Sequence, residues 1–165
     1  MTKFKPLPTQ QELHELFDYS VVTGALYWKN HPRYKAWTGR EAGSVYTNGY
    51  RTIELRRNGQ RLRYTAQRII WKWVTGEDPG ALCLDHIDHD RTNNAFHNLR
   101  LASKQQNRHN QFSKGWTKTP AGRYRVMCGP LTINRYVGTF ATEAEARAAY
   151  EEASKRLHGE FSSVR

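Results

Sequence analysis

The sequence predicts an α+β fold made of small antiparallel sheets and a few short helices. Short segments of alternating apolar and polar residues lie around the turn signals Asn48-Gly49 and Asn58-Gly59, which is typical of antiparallel strands. Other segments place apolar residues at helical spacing behind a capping pattern, which predicts helices. A chain of 165 residues is long enough for one compact domain or two small ones.

Residues 1–78 are predicted to form a short helix followed by a basic antiparallel meander. The elements expected there, in order, are a helix at 10–18, a strand at 24–28, a basic loop at 31–43, strands at 50–55 and 61–64, and a helix from Thr65 to Gly76. Arg61 and Arg63 crowd one hairpin with other arginines, which makes them candidate phosphate contacts. The alternative is that they only solvate an exposed hairpin tip.

Residues 79–112 are predicted to form a strand, a loop, a second strand and a helix. A buried strand at 82–84 would deliver Asp85 and His86 at its end, and the second strand covers 99–101. Ser103 begins a capping box, so Asn107 should lie in the first turns of a helix. The hairpin is expected to be held by four leucines that pack on this helix: Leu82, Leu84, Leu99 and Leu101.

This central stretch carries residue types that suit attack on a phosphodiester. Asp85, His86, Asn98 and Asn107 lie within 23 residues of each other. A neutral imidazole, ordinarily of pKa ~6.5, accepts a proton from water near neutral pH. A carboxylate and a carboxamide suit Mg²⁺, with Mn²⁺ as the alternative. Asn98 can hold the imidazole in one tautomer directly or by fixing the hairpin backbone, whereas the neighbouring residues Asn93 and Asn94 are expected to be loop and capping residues.

Composition indicates a polyanionic partner, with nucleic acid as the first choice. The net charge is +11, and an anionic membrane surface is the alternative. No apolar stretch approaches the ~18 residues of a membrane span, and no signal peptide is recognisable, which argues against a membrane. The two cysteines, Cys83 and Cys128, form no Cys-x-x-Cys pair, so we expect no structural zinc and a reducing, cytoplasmic location.

The central motif resembles the HNH endonucleases of the phage and intron-encoded type, whose third position is Asn. The residues that carry the resemblance are Asp85-His86-Ile87, Asn94, Asn98-Leu99-Arg100 and Asn107, with Tyr19, Thr23-Gly24, Leu26, Gly49-Tyr50 and Arg68-Ile69-Ile70-Trp71 upstream. The resemblance implies a ββα-metal fold in which His86 is the general base, Asp85 and Asn107 are metal ligands, and Asn98 orients His86. It also implies products with 5′-phosphate and 3′-hydroxyl ends. This chain has Gln67 where relatives usually have His.

Residues 113–165 are predicted to form a three-stranded sheet covered by one helix. Strands are expected at 123–128 and 135–140, and Thr142 caps a helix. The helix residues expected on the buried face are Ala146, Ala149, Tyr150, Ala153 and Leu157.

This segment resembles the AP2 DNA-binding domain. The matching residues are Gly115-Trp116, Gly122-Arg123-Tyr124, Val137-Gly138-Thr139-Phe140, Glu143 through Tyr150 and Leu157-His158-Gly159. The resemblance implies a sheet that lies in the DNA major groove. It also implies five DNA-contacting side chains: Trp116, Lys118, Arg123, Arg125 and Arg135. Arginine that pairs with guanine would contribute sequence choice; the alternative is that these residues bind only phosphate.

The predicted function is a metal-dependent HNH endonuclease that nicks or cuts duplex DNA at sites chosen partly by an AP2-like domain. The resemblances imply a phage-encoded protein, of the homing or the free-standing type. We expect a monomer with no obligatory protein partner. The alternative function is a non-catalytic, sequence-specific DNA-binding regulator that keeps a vestigial nuclease centre.

Overall fold

The computed structural model describes residues 6–57, 59–109, 114–129 and 135–162. The chain divides into two compact units, Met1–Leu101 and Ala102–Arg165. Small antiparallel sheets and short helices make up both units, so the predicted α+β class is confirmed. The functional division at residues 78 and 112 stays a prediction. Within the described ranges, no helix combines the length and the apolar composition needed to cross a bilayer.

The first unit contains two helices and three small sheets. In chain order they are α1 (Gln10–Leu16), β1 (Phe17–Ser20), β2 (Ala25–Trp28), β3 (Ser44–Val45), β4 (Arg51–Arg57), β5 (Gln60–Thr65), α2 (Ala66–Thr75), β6 (Cys83–His86) and β7 (Leu99–Ala102). Short 3-10 turns cover Lys35–Trp37 and Phe96–Asn98. β1 pairs with β2, β4 lies between β3 and β5, and β6 pairs with β7.

Local sequence signals begin and end the helices of this unit. Thr9 and Glu12 form the predicted capping box of α1. α2 begins after Thr65 and ends at Gly76, which adopts the left-handed conformation at φ +80°, as expected of a C-terminal glycine. The hydroxyl of Thr65 makes no capping hydrogen bond. The helix therefore begins at the predicted residue, but without the predicted side-chain cap.

Pairing of β4 with β5 sorts their side chains onto two faces. Ile53 lies opposite Tyr64, and both are buried. Glu54 lies opposite Arg63, and because facing residues project to the same side of an antiparallel pair, they occupy the outer face together with the pair Arg56 and Arg61. Arg56, Arg61 and Arg63 therefore line one exposed surface, while the apolar residues complete the core of the unit.

The second unit is a helix, a three-stranded sheet and a longer helix. Its elements are α3 (Lys104–His109), β8 (Trp116–Lys118), β9 (Tyr124–Cys128), β10 (Arg135–Phe140), α4 (Glu143–His158) and a 3-10 turn at Gly159–Phe161. β9 lies between β8 and β10. Thr142 and Glu145 form a capping box at α4. The predicted sheet covered by one helix is confirmed.

A small, alanine-rich core holds the sheet of the second unit to α4. Its buried residues are Val126, Cys128, Ala146, Tyr150 and Ala153. Gly115 adopts φ +67°, and a Cβ atom there would collide with the ring of Tyr150, so only glycine lets the chain pass this close to the aromatic ring.

Two apolar side chains predicted to be buried are exposed instead. Leu157 is 40% exposed and Leu82 is 42% exposed. On α4 the buried position after Ala153 is taken by Ser154, whose hydroxyl accepts a hydrogen bond from Ser162. Leu82 lies before β6 begins, so its side chain is outside the layer in which Leu84 is buried.

Candidate active site

The carboxylate and the imidazole of the central motif are both buried at the end of β6. Asp85 is 6% exposed and His86 is 3% exposed. The Asp85 carboxylate is buried together with a charged partner, because its Oδ2 accepts a hydrogen bond from Nε of Arg100 on β7 at 2.8 Å. A buried ion is tolerated only when it is paired in this way. The pair therefore fixes the carboxylate at a defined place in the hairpin.

Asn94 determines which nitrogen of His86 carries the proton. Its Oδ1 lies 3.1 Å from His86 Nε2, and its Nδ2 donates to the carbonyl oxygen of Thr92 at 3.2 Å. The second bond orients the amide so that an oxygen faces the imidazole, and Nε2 must then be the donor. In this tautomer Nδ1 carries the lone pair. Because Asn94 is 2% exposed, the arrangement is shielded from competing water.

Asn98 stabilises the loop between the two strands. Its Oδ1 accepts from the backbone N–H of Asp88 at 3.1 Å, and its Nδ2 donates to Asp88 Oδ1 at 2.8 Å and to the carbonyl oxygen of Asn93 at 2.9 Å. The backbone N–H of Ile87 also donates to the carbonyl oxygen of Asn98 at 2.9 Å. Of the two roles considered for Asn98, these contacts favour fixing the hairpin backbone.

The loop carboxylate of Asp88 is held in its ionised form. Partial burial raises its pKa, but hydrogen bonds from Asn98, Asn93 and the backbone N–H of Asp90 outweigh burial and hold the pKa below the ordinary value. The loop is therefore most stable with this carboxylate charged.

The hairpin of β1 and β2 braces the residue that contacts the imidazole. The hydroxyl of Tyr19 donates to the carbonyl oxygen of Asn94 at 3.3 Å and accepts from the N–H of Phe96 at 2.8 Å. Gly24 adopts φ +68°, and a Cβ atom there would collide with the backbone of Asn94 and Ala95. Two residues 70 or more positions earlier in the chain thus set the position of Asn94.

Asn107 lies in the second unit, on α3. The predicted capping box is confirmed, because Ser103 N–H donates to Gln106 Oε1 at 2.8 Å and Gln106 N–H donates to Ser103 Oγ at 3.1 Å. The backbone N–H of Asn107 donates to the carbonyl oxygen of Ser103 at 2.9 Å, and the residue is half-buried. Its predicted role as a metal ligand stays a prediction.

The chemistry of the predicted donors can be compared with the expected ion. A carboxylate and a carboxamide are hard oxygen donors, and Mg²⁺ is commonly held by one or two such groups together with water and substrate phosphate. This donor set fits a divalent ion of that kind. Among the described residues, no group of three or more His, Cys, Asp or Glu side chains is arranged to hold a metal ion. The expectation that no structural zinc is bound stays a prediction.

Comparison with known proteins relates part of this chain to a family. The HNH endonuclease family model matches residues 64–109, which include β6, the loop, β7 and α3. These residues are similar to an HNH endonuclease, and we call them the HNH segment.

A curated protein and a solved structure are also similar to parts of this chain. An uncharacterized HNH endonuclease, L560, of Acanthamoeba polyphaga mimivirus is 33% identical over 94 residues, which cover 54% of this chain and 50% of the relative. The chain thus spans about half the length of that curated relative. A solved structure concerning DNA binding and cleavage by the HNH homing endonuclease I-HmuI aligns with this chain with a TM-score of 0.47 and 25% identity. The alignment covers 66% of this chain and 58% of that one.

Gln67 lies inside the HNH segment, in the first turn of α2. It is 5% exposed. Its Oε1 has no hydrogen-bond partner among the described residues. The position is therefore a buried polar site, and nothing in the structure explains why this chain has glutamine there.

The arginines predicted to contact DNA in the first unit are exposed and weakly paired. Arg61 and Arg63 both lie 3.5 Å from the carboxylate of Glu54, with side chains 63% and 60% exposed. The guanidinium of Arg63 also lies 5.7 Å from the ring centroid of Tyr46. Exposed ion pairs contribute little free energy, so both arginines can exchange this partner for a phosphate.

Strand register sorts the DNA-contact candidates of the second unit onto two faces. Trp116 lies opposite the buried residue Val126, and its indole N–H donates to Glu143 of α4 at 3.2 Å. Trp116 therefore lies on the face that α4 covers. Lys118 is opposite Tyr124, with its Nζ 5.8 Å from that ring, so it shares this face although it is exposed.

Arg125 projects from the opposite side, which we call the open face. The open face carries Thr117, Arg125, Tyr136 and Thr139, as the pairing of β8, β9 and β10 shows. Arg123, just before β9, is exposed and donates to the carbonyl oxygen of Thr139 at 3.3 Å. Arg135 is opposite the buried residue Cys128, on the helix side of the sheet.

Sequence reasoning missed two kinds of residue. Asn94 was expected to be a loop or capping residue, although it belongs to the quoted motif and contacts His86 directly. Tyr136 is 62% exposed on the open face, beside the hydroxyl of Thr139 at 2.9 Å. Asn94 lies eight positions after His86 within the quoted motif, and this could have predicted its contact with the imidazole. The exposure of Tyr136 could not be predicted in this way, because it depends on a register shift in β10 between Tyr136 and Gly138.

Proposed function

We propose that this protein is a metal-dependent DNA endonuclease of the HNH type that hydrolyses phosphodiester bonds in duplex DNA, nicking or cutting it. One observation carries the proposal: within the HNH segment, Asn94 holds the buried His86 imidazole with Nε2 as the donor. That tautomer makes Nδ1 the basic nitrogen. A general base of this kind is what activation of a water nucleophile requires.

In the proposed reaction His86 accepts a proton from the attacking water at Nδ1. The Nε2–H···Oδ1 bond to Asn94 stabilises the imidazolium that forms. Asn98 holds the loop that carries Asn94, through its bonds to Asp88 and to the carbonyl oxygen of Asn93. Asn94 and Asn98 are therefore positioning residues, since neither is required to touch the reacting atoms.

Asp85 and Asn107 are the proposed ligands of a divalent ion, Mg²⁺ or, as the alternative, Mn²⁺. When bound, such an ion supplies electrophilic stabilisation of the charge that develops on the phosphate and on the leaving oxygen. Arg100 orients the Asp85 carboxylate through the bond at 2.8 Å. The ligand role of Asn107 rests on its place in the motif.

Binding of the duplex is proposed to involve basic surfaces of both units. Arg61 and Arg63 would contact phosphates, because both are exposed and their pairing with Glu54 is weak. In the AP2-like second unit we propose that the open face contributes to site choice, with Arg125 as the residue best suited to read a base. Arg123, Arg135 and Lys118 would then add phosphate contacts. We propose that a monomer performs the reaction.

Cleavage of plasmid DNA tests the proposed function. We expect nicked or linear product with Mg²⁺ and none with EDTA. Replacing His86 with Ala should lower the cleavage rate by about 10²–10⁴-fold, the usual contribution of a general base, with duplex binding in EDTA unchanged. His97→Ala is the matched control, because His97 is an exposed histidine of the same segment, and this substitution should not change the cleavage rate.

Two results would contradict the proposal. Cleavage that survives His86→Ala would refute the assigned base while leaving a nuclease. Tight binding of duplex DNA without cleavage of any DNA under any metal would instead favour the non-catalytic regulator.

A further inference from the structure

The first unit contains a cavity whose aromatic residues have no part in the proposed reaction. A cavity of about 490 Å³ opens between the loop at residues 31–37 and the outer face of β4 and β5. Three aromatic side chains on its wall are nearly half exposed: Tyr34 at 47%, Trp37 at 45% and Tyr46 at 44%. We call this surface the aromatic cavity.

The loop that forms one wall is built around His31. Its Nδ1 accepts hydrogen bonds from the backbone N–H groups of Arg33 and Tyr34, at 3.2 and 2.8 Å. Its ring stacks on Tyr34 at 5.4 Å and 24° and lies 4.9 Å from the ring of Trp37. Underneath, it contacts the buried ring of Trp28 at 4.4 Å. The exposed rings of Tyr34 and Trp37 are therefore held in place by a folded loop.

Arginines surround these rings. Arg56 and Arg61 line the cavity, the guanidinium of Arg33 lies 5.4 Å from the Tyr34 ring centroid, and that of Arg63 lies 5.7 Å from the Tyr46 ring centroid. The loop from residue 29 to 40 contains four basic residues and no acidic one. Glu54 is the acidic residue of the wall, and it is already shared by two arginines.

Core packing does not account for these rings. Trp71 and Trp73 of α2 pack against the hydrophobic core, whereas Tyr34, Trp37 and Tyr46 keep nearly half of their surface exposed to solvent. Exposed aromatic faces beside cationic side chains form the arrangement that stacks bases while it neutralises phosphates. A base inside a duplex already stacks on its neighbours and offers only its edges in the grooves. The aromatic cavity therefore fits a base that has left the stack.

We propose that the aromatic cavity binds an unpaired nucleobase of single-stranded DNA, with Tyr34, Trp37 and Tyr46 as stacking partners and with Arg56 and Arg61 on the adjoining phosphates. Its volume lies in the ~300–1,000 Å³ range of pockets that enclose small ligands. The inference rests on the proposed action on DNA, and it adds a second substrate form, an unpaired strand, to the duplex.

Anisotropy titrations in EDTA with two labelled single strands of equal length test this inference. One strand carries normal bases, and the other carries abasic sites at every second position, so that phosphate charge is the same. We expect the full-length protein to prefer the normal strand by about tenfold, within the ~5–150-fold that stacking of one base gives. Trp37→Ala should reduce that preference to less than twofold, and Trp37→Phe should restore most of it.

Matched controls separate stacking from charge and from folding. Arg61→Ala should weaken binding of both strands equally, because it removes a phosphate contact. Val22→Ala, at a valine that is 88% exposed elsewhere in the unit, should change the affinity for neither strand.

Equal affinity of the wild-type protein for normal and abasic strands would overturn the inference, as would an unchanged preference in Trp37→Ala. The inference would also be overturned if the wild-type protein self-associates in sedimentation experiments and Trp37→Ala abolishes that association, because the cavity would then be a protein interface. Duplex cleavage is measured separately, so failure here leaves the proposed nuclease untouched.

Discussion

The two units of the molecule use polar side chains in opposite ways. In the first unit the buried polar residues are Gln67, Asp85, His86, Asn94 and Asn98, and four of them belong to the active-site hairpin. Among the described residues of the second unit only Ser154 is a buried polar residue. There the charged residues Arg123, Arg125 and Arg135 are exposed around a core of small apolar side chains.

This difference separates a site proposed for chemistry from a surface proposed for binding. A general base must have one tautomer and one position, which requires buried hydrogen bonds and therefore polar groups that destabilise the fold when a partner is lost. A DNA-contacting surface requires only a rigid scaffold and exposed charges. Substitutions in the hairpin should thus change stability and rate together, whereas substitutions on the open face should change affinity alone.

The largest effect is expected for Asn98→Ala. The substitution leaves the N–H of Asp88 and the carbonyl oxygen of Asn93 without their partner. The amide makes three part-buried hydrogen bonds, and each one lost costs about 1 kcal/mol, so the free energy of unfolding of the first unit should fall by about 3 kcal/mol in urea denaturation followed by circular dichroism. Ser162→Ala in the second unit, which removes a single hydroxyl bond to Ser154, serves as the comparison. A loss below 1 kcal/mol for Asn98→Ala would show that water replaces the amide.

The next effect concerns the positioning of the base by Asn94. Asn94→Ala removes the acceptor for His86 Nε2 and should lower kcat for DNA cleavage by about 10²-fold, or ~2.7 kcal/mol, with KM nearly unchanged. Asn94→Asp keeps an oxygen acceptor and should recover part of the rate, with the acid side of the pH–rate profile displaced upward because a carboxylate stabilises the imidazolium. Equal losses in both variants with an unchanged profile would indicate a purely structural role.

A smaller effect is expected on the open face of the second unit. Arg125→Ala should weaken duplex binding by about tenfold, equivalent to ~1.4 kcal/mol and within the range for one base contact. Its free energy of unfolding should stay within about 0.5 kcal/mol of the wild-type value. Arg147→Ala is the matched control, because Arg147 is exposed on α4 and pairs with Glu151 at 2.9 Å. Equal losses of affinity in the two variants would mean that only net charge matters.

The smallest effect concerns the pH dependence of the loop around His31. Burial lowers the pKa of His31, and its Nδ1 must stay unprotonated to accept from Arg33 and Tyr34. Below pH ~6.5, the ordinary histidine pKa, His31 binds a proton in the opened loop but stays unprotonated in the folded loop. The opened loop is therefore favoured increasingly as the pH falls, and the stability of the folded loop falls with it. Hydrogen exchange of the two amides, corrected for intrinsic rates, should show protection that decreases between about pH 6.5 and 5. His31→Asn keeps an acceptor at the same place without a titrating group and should remove the dependence; protection that is constant with pH in the wild type would refute it.

Local signals allowed much of the fold to be predicted. The capping boxes at Thr9, Ser103 and Thr142 are all confirmed, because a cap depends on residues three positions apart. The hairpin of β6 and β7 and the sheet covered by α4 follow from alternation and turn residues in the same way. The positions of Asp85 and His86 at the end of β6 were predictable for this reason, since the strand that delivers them is itself a local pattern.

Tertiary structure decided which side chains meet and which face they occupy. Tyr19 reaches Asn94 across 75 positions, and Gly24 leaves room for the same backbone; neither contact has a local signature. Trp116 and Arg125 were predicted together as DNA contacts, yet strand register sends them to opposite faces of one sheet. Leu82 and Leu157 fit apolar patterns but lie at the ends of elements where no core covers them. The sequence by itself determined most of the elements and the motif, because these depend on neighbours in the chain, although residues 17 and 18, predicted as the end of a helix, begin β1. Only packing decided that Asn94 holds His86, because that bond requires a loop fixed from a distant hairpin.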